Sequence, residues 1–270
     1  MPDEDPRRAR SALVCAVGEP YLRRYFRRNF NAVRVAHDGS PAAMPGRALI
    51  VCANHPSWWD PMMFALLTRL LFRGRAGYGP MEAAALGRYG VLRRIGVFGI
   101  GPGRGGAARF LRVGLDLLAD PATVLWITAE GAFTDPRTRP VRLRPGLAHL
   151  TRRGVATVLP LAMEFPFWNE RRPEALIRFG PPVEPPPGRD AAAWTEALEA
   201  ALTASMDALA EAAISRDPSR FVTLLRGRTG VGGIYDAWRR GLAWGRGRRF
   251  DPSHGGEAFT HLAGEGDEDG

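Results

Sequence analysis

ALIVCANHPSWWDPMMFALLTRLLF, residues 48–72, is the stretch that decides the fold. Residues 48–53 are uniformly apolar and too few for a helix, so they read as a strand buried on both faces. Residues 62–72 have the length and apolar content of a buried helix. A doubly buried strand that passes through a short loop into a helix opens a βα unit, and such units build largely parallel sheets covered by helices. The connecting loop is Asn54-His55-Pro56-Ser57-Trp58-Trp59-Asp60-Pro61. Loops at the carboxyl ends of parallel strands are where α/β proteins hold ligands, so His55 and Asp60 stand out by position. A neutral imidazole takes a proton from a hydroxyl, and a carboxylate on its other nitrogen fixes the tautomer and stabilises the resulting imidazolium. Each residue also has a plainer use. Asp60 before Pro61 is the pattern of a helix N-cap followed by proline, His55 fits a hydrogen-bonded loop histidine, and Trp58 and Trp59 fit core anchors.

Outward from this unit, short β-rich runs alternate with helical ones. Residues 21–34, YLRRYFRRNFNAVR, set Arg23, Arg24, Arg27 and Arg28 against Leu22, Phe26 and Phe30 at helical spacing. That pattern predicts an N-terminal amphipathic basic helix, which either rests in a lipid headgroup layer or packs its aromatics on the core. Further helices are expected over 82–94, 107–119 and 146–152, and strands over 97–100, 123–128, 155–165 and 176–179. The proline-dense residues 181–188 read as a linker and the alanine-rich residues 191–214 as a strong helix. Residues 224–249 are rich in glycine and arginine, with Tyr235, Trp238 and Trp244, and residues 264–270 form an acidic tail expected to be disordered. The expected organisation is a disordered start over 1–10, one α/β domain over 11–215 and an extension over 216–270.

Composition narrows the function classes. A hydrophobic fraction of 45% in 270 residues suffices for a full core. Two cysteines, Cys15 and Cys52, supply neither a disulfide framework nor a ligand set for a structural metal, and Cys52, inside an apolar run, reads as a small hydrophobe. The net charge of +9 is carried by arginine, as the sequence has no lysine. Such an excess suits an anionic partner: phospholipid headgroups, the phosphates of a thioester cofactor, or nucleic acid. No apolar run approaches the ~20 residues that span a bilayer, and the first residues have too short a hydrophobic stretch for a secretory signal. A protein peripheral to the cytoplasmic face of the cell membrane is expected.

His55-x-x-x-x-Asp60, preceded by Asn54 and an apolar strand, resembles the signature of the lysophospholipid and glycerophosphate acyltransferases. The resemblance continues in order over roughly residues 25–162. Gly96-Val97-Phe98-Gly99-Ile100 is similar to the family's second block, Glu130-Gly131 after TVLWIT to its third, and Arg144-Pro145-Gly146 to the basic-glycine turn that follows. Val158-Leu159-Pro160-Leu161-Ala162 is similar to the fourth. A bare His-x4-Asp arises often by chance, so the ordered blocks carry the resemblance.

What the resemblance implies is a mixed, largely parallel sheet flanked by helices, of the glycerolphosphate-acyltransferase type. It further implies an O-acyltransferase that moves a fatty acyl group from acyl-coenzyme A or acyl carrier protein to the hydroxyl of a lysophospholipid or related lipid alcohol. His55 would be the general base and Asp60 its orienter, with Asn54, Arg104, Glu130, Gly131 and Pro160 at the acceptor. No permanently bound cofactor and no metal are implied. Two departures concern the acceptor. The second block usually closes with an acidic residue and an arginine, where this chain has Gly101-Pro102, and the third continues with a small hydroxyl residue and an arginine, where it has Ala132-Phe133. Since a guanidinium gripping phosphate is hard to replace, either Arg104, Arg137, Arg139, Arg142 or Arg144 compensates, or the acceptor is neutral, such as a glycolipid or a hydroxylated isoprenoid.

Two readings from other classes compete. Gly101-Pro102-Gly103-Arg104-Gly105-Gly106 satisfies Gly-x-Gly-x-x-Gly between a short strand and a helix, with Glu130 after the next strand, as in a nicotinamide-dependent oxidoreductase; that reading leaves the His55 block unexplained. Arg239, Arg240, Arg246, Arg248 and Arg249 interleave with Trp238 and Trp244, a composition that stacks nucleic-acid bases or docks on anionic lipid. No nucleic-acid module surrounds them, so lipid is the expected partner.

Overall fold

A computed structural model describes residues 5–41, 46–152, 156–184 and 190–228, with Trp238, Leu242 and Trp244 as single positions. In chain order the elements are α1 (Pro6–Ala9), α2 (Ala12–Asn29), β1 (Ala32–Ala36), β2 (Leu49–Ala53), α3 (Asp60–Leu71), β3 (Ala76–Glu82), α4 (Ala83–Arg88) and β4 (Val97–Ile100). They continue as α5 (Gly103–Leu118), β5 (Thr123–Thr128), α6 (Gly146–Thr151), β6 (Thr157–Glu164), β7 (Glu174–Phe179), α7 (Ala191–Ile214) and β8 (Phe221–Arg226). The strands form one sheet in the order β4-β3-β5-β2-β6-β7-β1-β8. β4, β3, β5, β2 and β6 run parallel, β7 runs antiparallel to β6, β1 lies parallel to β7, and β8 closes the edge antiparallel to β1. This is the mixed, largely parallel sheet flanked by helices that the sequence predicts.

β2 shows why. All five of its residues are buried, and successive side chains point to opposite faces. Leu49, Val51 and Ala53 join a core with Phe26, Met63, Leu66 and Leu67 from α2 and α3. Ile50 and Cys52 join the other, with Leu117, Leu150, Trp194 and Leu202 from α5, α6 and α7. Because β2 sits between β5 and β6, parallel to both, the loop that leaves it emerges near the centre of the eight-stranded sheet.

The structure departs from the sequence expectation in four places. The basic helix ends at Asn29 rather than running through residue 34, because Val33 and Val35 alternate into the core as β1. There Arg34 Nε lies 2.9 Å from Glu174 Oε2 and Asn31 Nδ2 lies 2.5 Å from Glu174 Oε1. β3 has no strand-like composition, but its glycines admit close neighbours: a Cβ on Gly77 would fall 2.8 Å from Thr68 Oγ1. The helix expected over 82–94 is α4 followed by a 3-10 turn over Gly90–Ile95. Finally, the domain is longer at both ends. Residues 6–9, expected to be disordered, form α1 with Ala9 buried, and residues 221–226, expected in the extension, are β8, with Phe221 and Leu225 buried. Residues 1–4, the second half of the linker (185–188), the arginine cluster after residue 238 and the acidic tail lie outside the described residues.

Of the two uses of the basic helix, packing on the core accounts for Leu22, Phe26 and Phe30, which are buried. A different face of α2 is solvent-facing: Leu13, Val17 and Tyr21, spaced four apart, are 72%, 69% and 65% exposed, with Arg24 and Arg28 exposed beside them. No helix among the described residues is long and apolar enough to cross a membrane.

Candidate active site

The loop after β2 is held on three sides by hydrogen bonds. Asn54 continues the ladder to β6 and spends its whole amide there: Nδ2 donates to the Met163 carbonyl at 3.0 Å and Oδ1 accepts from the Met163 N–H at 2.9 Å. With 1% of its surface exposed, Asn54 is a brace and not an acceptor contact. His55 is fixed at both backbone groups. Its N–H donates to Glu130 Oε2 at 2.9 Å, and its carbonyl accepts from the Thr134 N–H at 3.0 Å. Glu130 and Thr134 both lie in the loop after β5, so the two neighbouring strands clamp the histidine between them.

Asp60 is the first residue of α3. Its carboxylate turns back toward the loop: Oδ2 lies 2.6 Å from His55 Nδ1 and accepts from the Ser57 N–H at 3.3 Å. Capping alone does not describe it, because α3 has no side-chain cap. Asp60 has no exposed surface, and its Oδ1 has no hydrogen-bond partner among the described residues. Burial pushes its pKa up, and the His55 hydrogen bond opposes that shift. A buried carboxylate lacking a full set of partners gains most from a neighbouring positive charge. Asp60 therefore favours a proton arriving on the imidazole, as an orienter of a general base must. With Oδ2 as acceptor, Nδ1 carries the hydrogen and Nε2 is left as the basic nitrogen. The imidazole is 17% exposed, and one face is covered by Phe133, whose ring centroid is 4.3 Å away.

The remaining sequence candidates separate. Gly131 turns the chain at φ 70°, and the side chain of Arg144 lies across it, so that a Cβ there would fall 2.6 Å from Arg144 Cδ. Pro160 is buried within β6 opposite Cys52; it offers no N–H, and its carbonyl accepts from the Gly180 N–H at 2.9 Å. Cys52, its thiol pushed up to about 12 by burial, is inert. Arg104 is exposed on the first turn of α5, after edge strand β4. β4 is three strands from β2, ~14 Å along the sheet edge at usual strand spacing. The Gly101 to Gly106 loop does lie between a strand and a helix, as the dinucleotide pattern requires, but at the sheet's edge rather than at a switch in strand order. The Glu130 carboxylate that reading needs is bonded to the His55 N–H. Among the described residues no cluster of histidine, cysteine or acidic side chains is suited to a metal ion.

Two contributors had no sequence signal of their own: the Thr134 backbone amide, which any residue supplies, and the Phe133 ring, visible only as a departure from the third block.

No protein-family model matches this sequence, and no curated protein matches it. Among solved structures, the chain is similar to the crystal structure of the 1-acyl-sn-glycerophosphate (LPA) acyltransferase PlsC from Thermotoga maritima. The TM-score is 0.51 at 16% identity, over 73% of this chain and 80% of that one. At that identity the likeness is one of fold: both are mixed, mostly parallel sheets flanked by helices.

Proposed function

We propose that this chain is an O-acyltransferase that moves a fatty acyl group from an acyl thioester to the hydroxyl of a lysophospholipid or related lipid alcohol, with His55 as general base. The observation that carries the reading is the 2.6 Å contact between His55 Nδ1 and buried Asp60 Oδ2 at the carboxyl end of a central parallel strand. The shared fold with a bacterial acyltransferase supports it, as does the ordered set of sequence blocks.

In the proposed reaction Nε2 removes the proton from the acceptor hydroxyl as its oxygen attacks the thioester carbonyl. Asp60 holds the ring and stabilises the imidazolium. Collapse of the tetrahedral intermediate forms the ester, breaks the C–S bond and releases the thiolate, which takes the proton back from the imidazolium. No acyl-enzyme and no bound cofactor are needed. Phe133 over the ring limits the access of water that would hydrolyse the thioester.

The donor is acyl-coenzyme A or acyl carrier protein, either an anionic match for a chain of net charge +9. The working location is the cytoplasmic face of the membrane, held peripherally. The exposed α2 stripe supports this, as does the run of aromatic contacts leading from it to the active-site loop: Tyr21 on Tyr25, Tyr25 on Trp59, and Trp59 on the exposed Trp58.

The test is transfer of labelled acyl groups from acyl-coenzyme A and from acyl carrier protein to lysophosphatidic acid and neutral lipid alcohols. Transfer to a lipid alcohol that disappears in His55→Ala supports the reading. Absence of transfer from either donor to every acceptor would count against it.

A further inference from the structure

The carboxyl-terminal half of α2 carries charge that the proposed reaction leaves unused. Arg24, Arg27 and Arg28 are exposed on its last two turns, and Arg226 and Arg228 are exposed at the end of β8. Backbone hydrogen bonds bring the two groups together. The Gly227 N–H donates to the Asn31 carbonyl at 2.7 Å, and the Arg228 N–H donates to the Arg27 carbonyl at 3.1 Å. Arg172, in the loop before β7, clamps both elements: its Nε donates to the Arg28 carbonyl and its Nη1 to the Arg228 carbonyl, each at 2.7 Å. Gly227 permits the approach, because a Cβ there would fall on the Phe30 carbonyl oxygen. Among the described residues none of the five exposed arginines takes part in an ion pair, and the carboxylate on α2, Glu19, is held by Arg23 and Arg69.

This surface stands at the active-site end of the sheet. β1 and β7 begin level with each other, Ala32 against Glu174, and the start of β7 lies beside the carboxyl end of β6, Leu176 against Glu164. β6 in turn ends beside β2, from which the His55 loop leaves. The link to that loop is direct: the Phe30 ring, one residue past α2, lies 4.8 Å from Trp59, and the Tyr25 ring lies 5.4 Å from it. Along α2 itself the exposed line changes character. Leu13, Val17 and Tyr21 are apolar, and Arg24 and Arg28 continue their line at helical spacing. A helix that rests flat in a headgroup layer keeps its apolar line along its length and sets its cations on the other face. Here the line turns basic after Tyr21, so the two halves suit different partners. Exposed arginines spread over two elements do not enclose a small anion. They match a row of carboxylates on another protein, where complementary charge steers the encounter.

Resting on the acyltransferase reading, we propose that Arg24, Arg27, Arg28, Arg226 and Arg228 form a docking surface for an acidic protein partner, acyl carrier protein, which makes the carrier protein rather than coenzyme A the preferred donor. The acidic face of the carrier meets the arginines, its thioester is delivered past Trp59 to His55, and the apolar half of α2 stays free for the membrane that holds the acceptor.

The full chain carrying Arg27→Gln, Arg28→Gln and Arg228→Gln together tests it, beside a second variant with glutamate at the same three positions. Calorimetric titration with holo acyl carrier protein needs no catalysis. Wild type should bind, and more weakly as salt is added; the glutamine variant should bind roughly ten-fold more weakly, a few-fold for each exposed ion pair lost, and the glutamate variant more weakly still. In steady-state transfer the glutamine variant should raise KM for acyl carrier protein by a similar factor with little change in kcat, while KM for acyl-coenzyme A stays within about two-fold of wild type. Binding to phosphatidylglycerol vesicles should change by less than about three-fold, where three arginines lying in the headgroup layer would cost on the order of 100-fold. Equal rises in the two KM values would mark a structural or general anion effect and overturn the proposal. So would a loss of vesicle binding as large as the loss of carrier-protein binding, which would give the surface to the bilayer, or a wild type that does not bind the carrier protein. Carrier-protein binding through these arginines without transfer to any acceptor would keep the docking surface and reject the acyltransferase reading.

Discussion

His55 Nδ1 and Asp60 Oδ2 are 2.6 Å apart, and the aspartate has no surface in contact with solvent. Four residues of chain, Pro56 to Trp59, separate the two, and Asp60 opens α3, so the strand-to-helix turn itself sets the pair. Asp60→Asn should leave the turn in place but remove control of the tautomer, lowering kcat by roughly 10²- to 10⁴-fold. It should also alter stability with a definite sign. Burial raises the Asp60 pKa in the folded state, so the folded chain holds that proton at pH values where the unfolded chain has released it. The contribution to stability is therefore present below the ordinary carboxylate range near 4 and falls as pH rises through the raised value. The difference in Tm, Asp60→Asn minus wild type, should grow between pH 4 and 7; a flat or falling difference would contradict this account of the pair.

Glu130 acts through the backbone. Glu130→Ala leaves the His55 N–H without its acceptor, a loss of about 1–3 kcal/mol when such a donor is buried, and lets the loop shift. We expect kcat to fall at least ten-fold while KM for the acceptor changes by less than three-fold. Glu130→Gln, which keeps an oxygen acceptor, should recover most of the rate. A loss confined to KM would return Glu130 to a substrate-contacting role.

Phe133 covers one face of the imidazole at 4.3 Å and is itself 63% exposed. Removing the ring in Phe133→Ala opens that face to water while the Thr134 amide still holds the His55 carbonyl. The ratio of thioester hydrolysis to acyl transfer should rise several-fold, measured as free fatty acid against esterified product. An unchanged ratio would mean that the ring plays no part in excluding water.

Leu13, Val17 and Tyr21 expose apolar surface on one stripe of α2. If that stripe meets lipid, changing all three to serine removes roughly 1 kcal/mol per partly buried side chain, and binding to anionic phospholipid vesicles should weaken by on the order of 100-fold. Activity on a short-chain, water-soluble acceptor should be unaffected. Equal vesicle binding by the variant would place the contact elsewhere.

What the sequence made legible follows from which signals are local. β2 was readable because all five residues are buried and apolar, and the 191–214 helix because its alanine-rich run carries its own helix propensity. β3 was not, since a strand spelled AGYGPME owes its state to pairing with β4 and β5 and not to propensity. The arginines of residues 21–34 masked β1, because their helical spacing runs past the point where Val33 and Val35 begin to alternate. At the site, the loop position and spacing marked His55 and Asp60. Residue identity near the motif also marked Asn54 and Pro160, though their polar groups are spent inside the sheet. A linear pattern locates a residue along the chain but does not reveal whether its hydrogen bonds are already taken.

The most direct test of the central claim is acyl transfer by His55→Ala, with its folding followed by thermal denaturation. Removing the base should cost about 10²- to 10⁴-fold in kcat while Tm stays within a few degrees, because the loop backbone is held by Glu130, Thr134 and Met163 rather than by the imidazole. Transfer that survives at near wild-type rate per folded molecule would contradict the assignment of His55 as the base.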